Sequence, residues 1–183
     1  MEKGFTKINS KFLDPNKLIE KISPNKNYIY WEYVTTKFGL KAGTQHVILK
    51  QNGDLNCRNK YNIGNPGKGF SYNCFNGYSY IVYIENGNVI YVTDEKDFRK
   101  FIGRIDNLEE ALLISNLNGL WFDPKEVKAG SFKKTANGFE MYLMKYYNCP
   151  VKMESVKVKI DTSGHFKTKT NGIYYESKDC IVT

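Results

Sequence analysis

Between Leu108 and Leu117 apolar residues occupy almost every side of a helical wheel. At about 100° per residue, Leu108, Ala111 and Leu112 fill one arc and Leu113, Ile114 and Leu117 most of the opposite one, leaving a narrow polar strip at Glu109 and Asn116. A helix of this kind is buried between layers. Its ends are encoded locally: Asp106 or Asn107 can cap the first turn, Glu109 or Glu110 completes a capping box, and Asn118-Gly119 supplies a left-handed stop. The pattern predicts a central scaffold helix that carries no nucleophile, metal ligand or placed base.

Shorter patterns surround it. Asp14-Pro15 opens a helix whose Leu18, Ile19 and Ile22 share a face before Ser23-Pro24. From Asn27 to Thr36, Ile29, Trp31 and Tyr33 alternate with Tyr28, Tyr30 and Val34, as in an inner strand. Thr44 to Gln51 and Asp54 to Arg58 read as two strands joined at Asn52-Gly53, and Tyr78 to Glu85 with Asn88 to Thr93 as a hairpin around Asn86-Gly87. Asp94 caps a helix with Phe98, Phe101 and Ile102 on one face and Gly103 at its end. Leu120-Trp121-Phe122 is a short apolar strand, residues 125–134 are polar and basic, and Phe139 to Asn148 is a long strand entered through Asn137-Gly138. Finally, Val156, Val158 and Ile160 alternate with Ser155, Lys157 and Lys159, and after a turn Phe166, Thr168 and Thr170 alternate with His165, Lys167 and Lys169. This last hairpin has one dry face and one lysine face.

Asn-Gly occurs six times, four of them between strand-like runs, which predicts repeated hairpins and not a parallel sheet. The expected fold is α+β: an antiparallel, meander-like sheet with two consecutive helices, about 94–102 and 107–118, on one face, plus a short N-terminal helix. Length and hydrophobic content suit one domain over residues 1–183. The 14 Tyr and 11 Phe suit strands with a half-wet face.

Charge sharpens the picture. The net charge is +8, and from Lys37 to Ile84 the one acid is Asp54, against Lys37, Lys41, Lys50, Arg58, Lys60 and Lys68. Such a segment attracts an acidic protein face, a polyanion or an anionic membrane surface, although a charge of this size is also ordinary for solubility.

Cys57, Cys74, Cys149 and Cys180 show no Cys-x-x-Cys spacing, which argues against structural zinc. Of the three pairings, Cys57 with Cys74 and Cys149 with Cys180 each close a loop or hairpin; four reduced thiols are the competing expectation. No apolar run reaches membrane-spanning length. The first ten residues lack the apolar core of a secretion signal, so the chain is expected either in the cytoplasm or exported with its signal removed, and disulfides tilt that choice to export.

The turn-rich stretch from Asn59 to Asn73 is expected to be a long exposed loop. Its Gly64-Asn65-Pro66-Gly67-Lys68-Gly69 lacks the spacing of a phosphate-binding loop. Tyr61, Phe70 and Tyr72 interspersed with Arg58, Lys60 and Lys68 make it the principal candidate for partner binding. Lys157, Lys159, Lys167 and Lys169 form a secondary basic face, whose simpler purpose would be edge protection. His46 and His165 are the two histidines available to activate Cys57 or Cys74, and neither sits in a catalytic motif. Glu109, Glu110, Asp94 and Asp97 are explained by helix capping, while Glu32, in a strand of aromatics, needs a partner, for which a lysine is expected.

These observations favour a non-enzymatic interaction module without metal or cofactor. Its expected partner is another protein, with an acidic surface, as for an inhibitor or immunity protein or an exported lipoprotein-like domain. Polyanion or nucleic-acid binding through residues 37–84 is the alternative, and a Cys/His hydrolase a remote one.

Overall fold

The α+β class read from the alternation holds, with antiparallel pairing throughout, but the strands divide between two sheets. The computed structural model describes residues 2–39, 43–70 and 77–181. In chain order the elements are β1 (Thr6–Lys7), α1 (Pro15–Ile19), β2 (Tyr30–Gly39), β3 (Gly43–Gly53), α2 (Asn56–Lys60), β4 (Ser79–Glu85), β5 (Asn88–Val92), α3 (Glu95–Ile102), α4 (Leu108–Leu117), β6 (Leu120–Trp121), β7 (Ser131–Thr135), β8 (Gly138–Asn148), β9 (Val151–Asp161) and β10 (Phe166–Glu176). They form two compact units, Pro15–Gly103 and the residues that flank it in sequence. The two consecutive helices thus fall one in each unit: α3 in the inserted one, α4 in the flanking one.

The inserted unit holds a four-stranded sheet in the order β3-β2-β4-β5. As its two apolar sides require, β2 is an inner strand. Trp31 and Tyr33 are buried on one side, where the Phe101 ring of α3 lies 5.4 Å from Trp31. On the other side Tyr30, Val34, Tyr80, Val82 and Ile84 form a buried cluster with Cys57 and Ile63. Asp94 caps α3 by accepting from the Asp97 N–H, and Gly103 ends it with φ 68°. Asn86 and Gly87, at φ 49° and 78°, make the β4–β5 hairpin turn with both central residues left-handed.

The Asn52-Gly53 hairpin does not form. Gly53 pairs with Tyr30 at the end of the β2–β3 ladder, with φ 104°, and a Cβ there would lie 2.1 Å from the Ile29 carbonyl oxygen. Asp54 Oδ1 then accepts from the Asn56 N–H at 2.9 Å and starts the α2 turn, which buries Cys57. Residues 54–58 are therefore not a strand. The segment joining β2 to β3 lies outside the described residues.

The flanking unit holds a six-stranded sheet in the order β1-β7-β8-β9-β10, with β6 also paired to β8. Strands β7 to β10 form the expected meander. The polar stretch before residue 135 hides β7, whose Ser131 is buried opposite Tyr142. Strand β10 continues past Thr170 to Glu176, with register shifts between Thr170 and Ile173 and between Ile173 and Tyr175. One sheet face buries Phe139, Met141, Leu143, Val156, Val158 and Ile160. Helix α4 has its cap at Asn107, which accepts from the Glu110 N–H at 2.9 Å, while Glu110 Oε2 reaches back to the Asp106 N–H at 3.4 Å. Every residue from Glu110 to Asn116 is buried, as a helix apolar on nearly all sides demands. Among the described residues no helix is long and apolar enough to cross a membrane.

Candidate interaction surfaces

The segment from Arg58 to Phe70 is only partly an open loop. Hydroxyls of Tyr91 in β5 and of Tyr78, just before β4, hold it in place. Tyr91 Oη accepts from the Gly64 N–H at 3.1 Å and donates to the Gly64 carbonyl at 3.2 Å, and Tyr78 Oη donates to Asn65 Oδ1 at 2.6 Å. Ile63 is buried in the cluster beneath, with Tyr61 half-buried against it. Phe70, a predicted contact residue, is only 6% exposed; its backbone pairs with Ser79 in both directions at 2.8 Å and its ring lies 5.7 Å from Phe98. The expected exposed aromatic loop is corrected at Phe70, which with Ile63 serves the core: a stretch without hydrophobic period gives no sign of what packs beneath it.

Arg58 is also engaged internally. Its Nε lies 3.2 and 3.1 Å from the two oxygens of Glu32, which has no exposed surface, and Tyr30 Oη donates to Glu32 Oε2 at 2.5 Å. The partner that Glu32 needed is this arginine, not a lysine. Burial, followed by the bond to Glu32, raises the Tyr30 pKa, and burial pushes the neighbouring Tyr80 up to about 12. Lys60, with its ammonium 5.4 Å from the Tyr61 ring centroid, and Lys68 remain exposed. Tyr72 and Cys74 lie outside the described residues, while Cys57 is a free, buried thiol and not half of the expected bridge to Cys74.

The lysine face assembles as the alternation predicts. Antiparallel register places Lys167 opposite Lys159 and Lys169 opposite Lys157, so the four lysines form two adjacent cross-strand pairs on one side of β9 and β10. The rows continue inward, Lys159 to Glu140 to Lys133 and Lys157 to Tyr142 to Ser131. Glu140 Oε1 is 2.7 Å from Lys159 Nζ, and Glu2 Oε2 is 3.2 Å from Lys157 Nζ. Tyr142 Oη donates to Glu2 Oε1 at 2.5 Å, and Lys157 Nζ stands 5.1 Å from the Tyr142 ring centroid. Tyr142 and Lys157 together depress the Glu2 pKa, and Lys159 does the same for Glu140. The Lys157 pKa is raised by Tyr142 and then by Glu2. Lys167 and Lys169 are exposed and have no ion-pair partner among the described residues. Two grooves flank the face, one of about 480 Å³ lined by Lys125, Lys128, Tyr142 and Asn171, the other of about 410 Å³ lined by Asn137, Glu140, Lys159 and Lys167.

The histidines have local partners. His46 Nδ1 is 3.2 Å from Tyr80 Oη. In the β9–β10 turn, His165 Nδ1 is 2.9 Å from Asp161 Oδ2 and 3.0 Å from Ser163 Oγ. A serine relay needs the hydroxyl on one ring nitrogen and the carboxylate on the other. Here both crowd Nδ1, and Asp161 also accepts from the backbone N–H of Ser163 and of His165, as a turn-closing residue does.

Cys149 and Cys180 are joined by a disulfide that ties the segment after β10 to the β8–β9 turn. Val151 N–H to Asp179 O, Ser177 N–H to Val151 O and Ile181 N–H to Asn148 O, each 2.9 Å, fasten the same segment. Among the described residues no group of three or more His, Cys, Asp or Glu is placed to hold a metal ion.

Comparison with protein-family models, with curated proteins and with solved structures finds no match.

Proposed function

We propose that the chain is a non-enzymatic interaction module that binds an acidic protein, with Lys157, Lys159, Lys167 and Lys169 as the centre of its footprint. The observation that carries this is the pairing of lysine directly opposite lysine, twice, on one sheet face. Like charges placed directly opposite one another destabilise a sheet, and edge protection needs only scattered lysines. A partner's carboxylates would turn that repulsion into attraction and steer the encounter. The non-enzymatic reading is supported by Lys157, whose pKa Tyr142 and Glu2 raise, a direction that suits charge recruitment better than nucleophilic or base chemistry. The Cys149–Cys180 bridge supports an exported protein. With Phe70 buried and Arg58 paired to Glu32, the 58–70 segment keeps Lys60 and Lys68 as a lesser basic patch.

Carbodiimide coupling in an extract of the source cells tests this, because it joins an amine only to a carboxylate already beside it. The Lys159–Glu140 pair serves as an internal control. Links from Lys167 or Lys169 to acids of another protein are expected. Retention on duplex DNA, lost steeply with salt and without any such link, would favour the polyanion alternative instead.

A further inference from the structure

We infer that the acidic partner engages this surface as an extended strand added to the free edge of β10, contributing acids at alternate positions. The inference rests on the proposal that the lysine face binds an acidic protein, and adds the form of the ligand. Strand β10 ends the strand order of its sheet, so its outer backbone groups face no other strand among the described residues. Only Phe166 and Tyr174 of its residues are part-buried, and the rest are exposed. Register is unbroken from Phe166 opposite Ile160 to Thr170 opposite Val156, giving a regular five-residue edge. Beyond it the two register shifts turn the strand, as bulges do where pairing is to stop.

An added strand would extend the existing rows by one position. Its residues beside Lys167 and Lys169 would lie two apart on the lysine face, each next to a cation that has no ion-pair partner among the described residues. Acids at those two positions complete both rows. The residue between them falls beside Thr168, in the row of Val158 and Met141, where a β-branched or apolar side chain fits. The recognised pattern is therefore acid, β-branched, acid in extended conformation. A second copy of this chain fits poorly: two β10 edges paired antiparallel about Thr168 would set Lys167 of each against Lys169 of the other. The lysines thus repel self-pairing and select an acidic strand with the same charges.

The test uses the intact protein and a labelled peptide, Thr-Thr-Glu-Val-Glu-Val-Thr-Thr, in three forms: unmodified, N-methylated at both glutamates, and N-methylated at both valines. Alternate amides of a strand point to opposite edges, so one methylated isomer loses its bonds to β10 and the other keeps them. One isomer is expected to bind about tenfold more weakly than the unmodified peptide and the other comparably, with binding abolished in Lys167→Glu/Lys169→Glu. Equal affinity of the two isomers overturns strand addition, whether that affinity is high or low. If Lys167 and Lys169 still couple to a partner's acids in the carbodiimide experiment, strand addition alone fails; if they do not, the acidic-partner proposal fails with it.

Discussion

Arg58 holds its guanidinium Nε within 3.2 Å of both oxygens of Glu32, a carboxylate enclosed by the sheet and by the segment after β3. Truncating one partner leaves the other as an uncompensated buried charge. Arg58→Ala should destabilise the inserted unit by about 3 kcal/mol, the lower end for a buried pair, because the arginine side chain is itself 35% exposed. Glu32→Gln combined with Arg58→Met should recover much of that loss. Urea unfolding of the three proteins reads both numbers, and an unchanged midpoint in Arg58→Ala would mean that the pair does not hold the segment down.

Leu112 lies within the fully buried run of α4. A carboxylate at this position has no partner to meet it, so Leu112→Asp should cost more than about 4 kcal/mol and unfold the flanking unit. Amide NMR spectra that keep β8 and β9 dispersed in this variant would contradict the scaffold role given to α4.

The Asp161 pKa is held well below the usual carboxylate range, first by the Ser163 hydroxyl and then by the N–H and ring of His165. A carboxylate depressed in the folded state contributes stability that is complete above its unfolded pKa of about 4 and is lost as pH falls through the lower folded value. Ser163→Ala should move the Asp161 midpoint upward, narrowing that acid window from below. A carbon-detected NMR titration measures the midpoint directly, and no movement would remove the hydroxyl as the main cause.

Removing the Cys149–Cys180 bridge, whose ends are 31 positions apart in sequence, should cost about 3 kcal/mol in the flanking unit. Cys149→Ala/Cys180→Ala should also let the amides of Ser177 and Ile181 exchange quickly, since the hydrogen bonds they make to Val151 and Asn148 lose their tether. Slow exchange in the double variant would show that the backbone bonds suffice alone. The buried Cys57 thiol, 6% exposed, should react with a thiol reagent only after unfolding.

Periodicity made the scaffold legible where it was strong. Helix α4, the β4–β5 hairpin and the lysine alternation of β9 and β10 each announce themselves in local pattern, and the structure places them accordingly. Long-range pairing was not legible. Asn52-Gly53 looks like a hairpin turn, yet Gly53 is glycine because the carbonyl of Ile29, the residue just before β2, closes on it from over twenty residues earlier in the chain. The segment after α2 reads as an exposed loop because its glycines and asparagines have no period, while the tyrosine hydroxyls that fasten it come from Tyr78 and Tyr91. The same holds for Arg58: sequence shows it as a free cation, and only the fold shows that Glu32 pairs with it.

The lysine face is tested most directly by two charge-matched variants. Lys167→Glu/Lys169→Glu and Lys60→Glu/Lys68→Glu change net charge equally, one on β10 and the other on the segment after β3. Measured as the yield of carbodiimide-coupled partner, the first pair should abolish coupling and the second leave it near the wild-type level. Coupling that survives in Lys167→Glu/Lys169→Glu and disappears in Lys60→Glu/Lys68→Glu would contradict the assignment and move the footprint back to the inserted unit.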